Sequence, residues 1–386
     1  MASESGGTIR SIQILRALAA TAVVYFHCSS PRGGFGFPQT GAWGVDIFFV
    51  ISGFIIARTA FKRRDNFLRI RIVRVVPIYL IATFLIAGVV LALPGRVNSA
   101  EVGPVGLLKS ILFIPYEMAT RPGPILEAGW TLNYEMFFYV VVALALLVTR
   151  SAKRGLAVTG VLLGLLAVSG WVAPSDWYVV RFYQSSLFLE FLSGVLLWMA
   201  YEKSRDIRGV FAAGRTTIAG GFMIAAGIAL LVAEDTWPAF TIESEGRFLQ
   251  YGLPAFVVVA GGLLVEPALP AGRSVTSLVE LGDASYALYL FHPFVILFLS
   301  RIAFESVLTE AATAVRLLLL LLALALSLAA SVVINRYIDG PIQRRLRSRV
   351  LSPGRSATTP SLVQQAARRV SRAPAPAQPP TNRNRP

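Results

Sequence analysis

Four long apolar tracts, Val75–Leu93, Leu156–Val172, Phe248–Val265 and Leu317–Ile334, leave this chain few ways to fold. A helix rises 1.5 Å per residue, so crossing about 30 Å of hydrocarbon takes about 20 mainly apolar residues. A soluble protein with buried helices would interrupt such tracts with a polar face, and Leu317–Ile334 has none. Composition agrees: 15% of the residues are charged, against about 25% in a soluble domain. The chain reads as an all-α, polytopic transmembrane helical bundle. About ten spans are predicted, over approximately 12–30, 44–60, 75–93, 130–149, 155–173, 185–201, 216–233, 248–266, 281–300 and 313–337.

Lys and Arg accumulate on the cytoplasmic side of membrane proteins. With the N-terminus inside, the cytoplasmic segments hold 26 basic residues and the opposite loops seven, the remaining three lying within spans. That bias predicts an even number of spans with both termini cytoplasmic. It also reads the net charge of +15 as a topology signal, which argues against a nucleic-acid partner. Met1–Arg16 lacks the apolar core of a cleavable signal, so the first span is expected to be retained. Cys28 is the single cysteine, which excludes an intramolecular disulfide and a cysteine metal cluster. Leu107–Met118 is short for a span and reads as a re-entrant or interfacial segment within an external loop. Residues 1–345 form the transmembrane domain. Residues 346–386 read as a basic tail rich in Pro, Ala and Arg, disordered and cytoplasmic, which could rest near anionic lipid.

Ionisable groups inside spans are costly and mark function or pairing. The only two histidines, His27 and His292, both fall inside spans. Arg16 and His27 lie eleven residues apart on the first span. On a helix that spacing puts them on one face, roughly 16–17 Å apart along the axis. Asp46 opens the second span, Ser52 follows in its middle, and the fourth opens Trp130-Thr131-Leu132-Asn133-Tyr134-Glu135. Each carboxylate could be a structural partner for an arginine. Together with His27 they also supply an imidazole, two carboxylates able to orient it, and hydrogen-bonding side chains. Those are the parts of general-base activation of a hydroxyl.

The order of these segments resembles acyltransferase family 3, the membrane-bound O-antigen and exopolysaccharide acyltransferases. The resemblance rests on Ile12-Gln13-Ile14-Leu15-Arg16, Tyr25-Phe26-His27, Gly44-Val45-Asp46-Ile47-Phe48-Phe49 with Ser52-Gly53-Phe54, and Arg71 and Arg74 before Pro77. It continues in Trp130-Thr131-Leu132 with Glu135, Glu190-Phe191-Leu192-Ser193-Gly194, Leu281-Gly282-Asp283-Ala284-Ser285-Tyr286 and Phe291-His292-Pro293. The opening Ile-Gln-x-Leu-Arg is most similar to the exopolysaccharide-production branch. Where the family often shows a glutamate before a proline near the last span's end, this chain has Asp339-Gly340-Pro341.

The resemblance implies O-acylation, usually acetylation, of a sugar hydroxyl, with acetyl-CoA or another acyl-CoA as donor and no metal. It implies a bacterial inner membrane location and a glycan or lipid-linked glycan as acceptor. The family's arginine–histidine pair maps onto Arg16 and His27, and its basic loop motif onto Arg71 and Arg74, expected to contact the donor's phosphates. His27 is expected to be the general base, with Asp46 or Glu135 holding its tautomer. Arg16 is expected either to stabilise charge on the thioester oxygen or to anchor the donor. Trp130, Asn133, Ser52, Tyr286 and His292 are expected to line the substrate. Cys28 adjoins His27 but points about 100° away on a helix, so it reads as a packing residue. A transporter or flippase of a lipid-linked sugar or lipid would also use intramembrane charges. Chemical turnover discriminates the two.

Overall fold

The computed structural model describes residues 8–30, 34–93, 102–117, 123–204, 213–236, 246–303, 308 and 311–351. Most of the acidic loop Glu234–Arg247 and the tail beyond Leu351 lie outside the described residues. In chain order the helices are α1 (Arg10–Ser29), α2 (Gly44–Lys62), α3 (Phe67–Ala92), α4 (Pro104–Ile111), α5 (Trp130–Thr149), α6 (Ala152–Val172), α7 (Tyr178–Tyr183), α8 (Leu187–Lys203), α9 (Ala213–Thr236), α10 (Leu253–Val265), α11 (Arg273–Leu297), α12 (Thr313–Ile334) and α13 (Gly340–Leu351).

Among the described residues, nine helices are long and apolar enough to cross a membrane. The remaining predicted span, 185–201, is α8, whose 17 residues reach about 26 Å. Its carboxylate Glu190 is fully buried against α2 rather than turned to lipid. The outer surface of the bundle carries exposed Leu, Val and Phe side chains such as Val148, Leu165, Phe222 and Leu318. In water so much exposed apolar surface would drive association, whereas in hydrocarbon it is matched by its solvent. The protein is a multi-pass membrane protein.

Lipid gives helices little hydrophobic reason to associate, so close backbone packing has to hold them. Gly53 of α2 lies against the Phe191 carbonyl of α8, and Gly194 of α8 against the Val50 carbonyl of α2. A Cβ at either position would overlap that carbonyl oxygen. Gly282 of α11 meets the Gln13 carbonyl of α1 in the same way. These contacts seat α1 against α11 and α2 against α8, and the faces left between them enclose the site. Aromatic rings fill the α2–α5–α8 interior, with Phe138 and Phe191 centroids 4.6 Å apart.

Three boundaries differ from the sequence reading. Helix α3 begins at Phe67, so Arg69, Arg71 and Arg74 ride on its first turns. The segment read as re-entrant or interfacial holds only the eight-residue α4, tied to α3 where the Tyr79 hydroxyl donates to the Ser110 carbonyl at 3.0 Å. The last span does not end in a loop: a π turn over Asn335–Asp339 joins α12 to α13, which continues past the expected boundary at 345. Residues 346–351 read as the start of the basic tail, but Ile342, Leu346 and Val350 at helical spacing give the helix an apolar stripe.

Candidate active site

The N-terminal half of α1, the C-terminal half of α2, the start of α3 and α13 surround a vestibule of about 1030 Å³. Its wall carries Arg16 from α1, Arg58, Lys62 and Arg63 from α2 and its end, Arg71 and Arg74 from α3, and Arg344 and Arg347 from α13. Asp283 is the single carboxylate among the described lining residues. So many like charges around one space repel unless an anion sits between them.

The vestibule narrows at Arg16, Ile55, Arg71 and Arg74, which also line a second cavity of about 120 Å³ deeper in the bundle. That inner cavity is bounded by Ser52, Thr131, Glu135, Ser285, Tyr286 and Tyr289 among apolar neighbours. Glu135 is its hub. The carboxylate accepts hydrogen bonds from Ser52 Oγ at 2.6 Å and from the Tyr139 hydroxyl, and pairs with Arg71 Nη2 at 3.4 Å. Arg71 also donates to the Tyr139 hydroxyl at 2.5 Å, with its guanidinium over the Tyr139 ring. A buried ion pair holds only when its remaining polar atoms are satisfied. Here Tyr139 and Ser52 satisfy the carboxylate, while Arg71 Nε stays buried with no partner among the described residues. Ser285 Oγ is likewise buried without one. Both residues line the inner cavity.

Arg74 pairs with Asp339 at 3.6 Å and lies over the Tyr286 ring. Tyr286 donates to the Val75 carbonyl at 2.9 Å, which pins α11 to α3. Asp339 therefore stands as the carboxylate partner of Arg74.

The two histidines come together from facing helices, with ring centroids 4.9 Å apart. His27 occupies the last turn of α1 and is half-buried, whereas His292 of α11 is fully buried. His27 Nδ1 lies 2.9 Å from the Val23 carbonyl, and His292 Nδ1 lies 3.1 Å from the Leu288 carbonyl. A carbonyl can only accept, so both Nδ1 atoms carry hydrogen, and in the neutral form of each ring Nε2 keeps the lone pair. His292 Nε2 is buried with no partner among the described residues. Pro293 follows it inside α11 and lacks the N–H that would close the helical bond to the Tyr289 carbonyl. Tyr289 separates this pair from the inner cavity: its ring is 6.3 Å from His292, and its hydroxyl shares a 2.8 Å hydrogen bond with Thr131.

The sequence-predicted residues thus divide. Arg16, Ser52, Arg71, Arg74, Glu135 and Tyr286 meet at the inner cavity, and His27 meets His292 beyond Tyr289. Asp46 is elsewhere: it is fully buried and held by Arg247 through two 2.8 Å hydrogen bonds. The hydrogen bond that fixes the His27 tautomer goes to a backbone carbonyl, while Asp46 and Glu135 bind arginines instead. Trp130 joins the aromatic cluster of Phe49 and Tyr134. Asn133 is fully buried with neither amide atom partnered among the described residues. Cys28 is buried. Sequence reasoning missed Tyr139, Tyr289, Arg344 and Arg347. Tyr139, four residues after Glu135 on one helix face, was open to discovery by spacing alone.

Comparison with known proteins gives the same reading independently. The model of an acyltransferase domain, acyltransferase family 3, matches residues 9–336. The exopolysaccharide production protein ExoZ of Rhizobium meliloti is 32% identical over 81% of this chain and 93% of its own length. The putative membrane-bound transacylase BcsY of Komagataeibacter xylinus is 26% identical over 73% of this chain and 72% of its own. The acyltransferase MdmB of Streptomyces mycarofaciens is 27% identical over 66% and 68%. No solved structure matches. With a family match running from the start of α1 to the end of α12, this chain belongs to the membrane-bound acyltransferase family 3.

Proposed function

We propose that this protein transfers an acetyl group from cytoplasmic acetyl-CoA to a hydroxyl of a surface polysaccharide or its lipid-linked precursor, in the bacterial inner membrane with both termini cytoplasmic. One observation carries the reading: a vestibule walled by eight basic side chains narrows into a cavity of about 120 Å³. Coenzyme A has that form, a polyanionic nucleotide joined by a thin arm to a small acyl thioester. The vestibule is at the upper end of the roughly 300–1,000 Å³ usual for ligand pockets, whereas the inner cavity falls well below it. A space that narrow passes a thin arm tipped with an acetyl group and does not pass a long acyl chain. The polysaccharide acceptor draws support from the printed role of the Rhizobium relative in exopolysaccharide production.

In this reading Arg16, Arg71 and Arg74 hold the donor where vestibule and cavity meet, and its thioester extends past Tyr289 toward His27. The acceptor hydroxyl approaches His27 from the opposite end of α1. His27 Nε2 takes the hydroxyl proton as the oxygen attacks the thioester carbonyl carbon. The tetrahedral intermediate expels the thiolate, and the imidazolium returns the proton to sulfur. His292 Nε2, a lone-pair acceptor beside it, stabilises the charged imidazole between those two events.

The test is label transfer from acetyl-CoA to candidate glycans in membranes containing the protein. The reading expects acetylated glycan, with rates falling steeply from acetyl to hexanoyl donors. No transfer to any glycan, lipid-linked sugar or small hydroxylated acceptor, or facilitated movement of a sugar lipid without transfer, would sink it.

A further inference from the structure

Helix α13 lies outside the segment that defines the family: the match ends at residue 336, and α13 begins at Gly340. Its placement is nonetheless tightly specified. The π turn Asn335–Asp339 redirects the chain at the end of α12. Asp339 at that turn pairs with Arg74 of α3 and accepts a 2.7 Å hydrogen bond from Gln343 on α13. α13 packs along α3. The first turn of α13 is thereby locked to the same arginine that marks the vestibule neck.

From that anchor, Arg344 and Arg347 project as neighbours three residues apart on one helix face. Both line the vestibule, whereas Arg345 and Arg349 do not. No ion pair links either to a carboxylate among the described residues, and Arg347 feels the like charges of Arg74 and Arg71 more than the opposite charge of Asp339. A helix that brings two more cations toward an already cationic space stores repulsion that an anionic ligand releases. Position decides which part of the ligand they meet. Arg16, Arg71 and Arg74 border both cavities, but Arg344 and Arg347 border the vestibule alone. They face the end of the donor farthest from the thioester.

We infer that α13 is a phosphate-reading arm, in which Arg344 and Arg347 bind the terminal phosphomonoester of a nucleotide-bearing acyl carrier and make the protein selective for it. This rests on the acyl-CoA reading above. A guanidinium pair suits a phosphomonoester dianion, which accepts several charge-assisted hydrogen bonds.

The experiment measures binding of coenzyme A and of dephospho-coenzyme A, which lacks the terminal phosphate, to the full chain in nanodiscs of neutral lipid. Wild type should bind coenzyme A on the order of tenfold or more tightly than the dephospho form. The double variant Arg344→Gln/Arg347→Gln should bind both forms alike, at the wild-type affinity for the dephospho form. Arg345→Gln/Arg349→Gln should keep the wild-type preference, and melting temperatures confirm that each variant is folded. Unchanged discrimination in the Arg344/Arg347 variant would overturn this inference alone. So would equal weakening toward both ligands, or a loss confined to association with anionic-lipid vesicles, which would make α13 a headgroup contact. If wild type binds neither ligand, the donor reading itself falls.

Discussion

At the scale of single residues, the chemistry turns on where two imidazole protons point. His27 and His292 each donate Nδ1–H to the carbonyl four residues earlier on their own helices. This tautomer needs no carboxylate and leaves both Nε2 lone pairs available. His27→Ala should therefore lower kcat by about 10²–10⁴, the usual contribution of a positioned general base, with the donor KM nearly unchanged. His292→Gln should lower kcat by about tenfold to a hundredfold, the worth of a hydrogen bond to a charged group. Steady-state kinetics with labelled acetyl-CoA separates the two, and equal rates for His27→Ala and wild type would remove the base from His27. Tyr139 governs a different term. Tyr139→Phe takes one donor from Glu135 and one acceptor from Arg71, leaving buried charge less satisfied. It should cost about 1–3 kcal/mol of stability, read as a lowered melting temperature in detergent, and should weaken donor binding through Arg71. Glu135 and Ser52 were legible in the sequence as polar residues in apolar helices, and Arg71 as part of a basic loop motif. Their meeting was not, because Arg71 and Glu135 are 64 positions apart and only the packing of α3 against α5 joins them. Asp46 shows the converse: its intramembrane position marked it correctly as costly, but the partner that balances it is Arg247.

At the scale of elements, apolar length predicted the spans well, since a helix in lipid must satisfy its own backbone whatever its neighbours do. It says less where a helix is held by protein rather than lipid: α8, predicted over 185–201, has 17 residues and packs against α2, and α13 carries Arg344 and Arg347 into the vestibule wall. The α2–α8 contact has a sharp consequence. Gly194→Val would push a side chain into the Val50 carbonyl, so this variant should lose its folded, monodisperse state on size-exclusion chromatography. Gly164→Val on α6, where nothing lies within 4 Å of an added Cβ, should behave as wild type. If both variants remain folded and equally stable, the interlock of Gly53 and Gly194 does not hold these helices together.

At the scale of the whole molecule, the uneven distribution of Lys and Arg converges with the vestibule. The side expected to be cytoplasmic is the side where Arg58, Lys62, Arg63 and Arg71 gather. Orientation is open to direct reading in a Cys28→Ala background. Lys62→Cys should react with a membrane-impermeant maleimide only from the cytoplasmic side, and Trp177→Cys, between α6 and α7, only from outside. Reversed labelling would invert the bundle and move the vestibule away from cytoplasmic coenzyme A. The central claim is that donor enters through this vestibule and acceptor meets His27 at the other end of α1. Its most direct test is acetyl transfer in sealed, oriented vesicles bearing a glycan acceptor, with labelled acetyl-CoA supplied on one face at a time. Transfer should occur when donor is added at the vestibule face, and should disappear in His27→Ala. Transfer of equal rate from either face, or transfer that survives His27→Ala undiminished, would contradict the account.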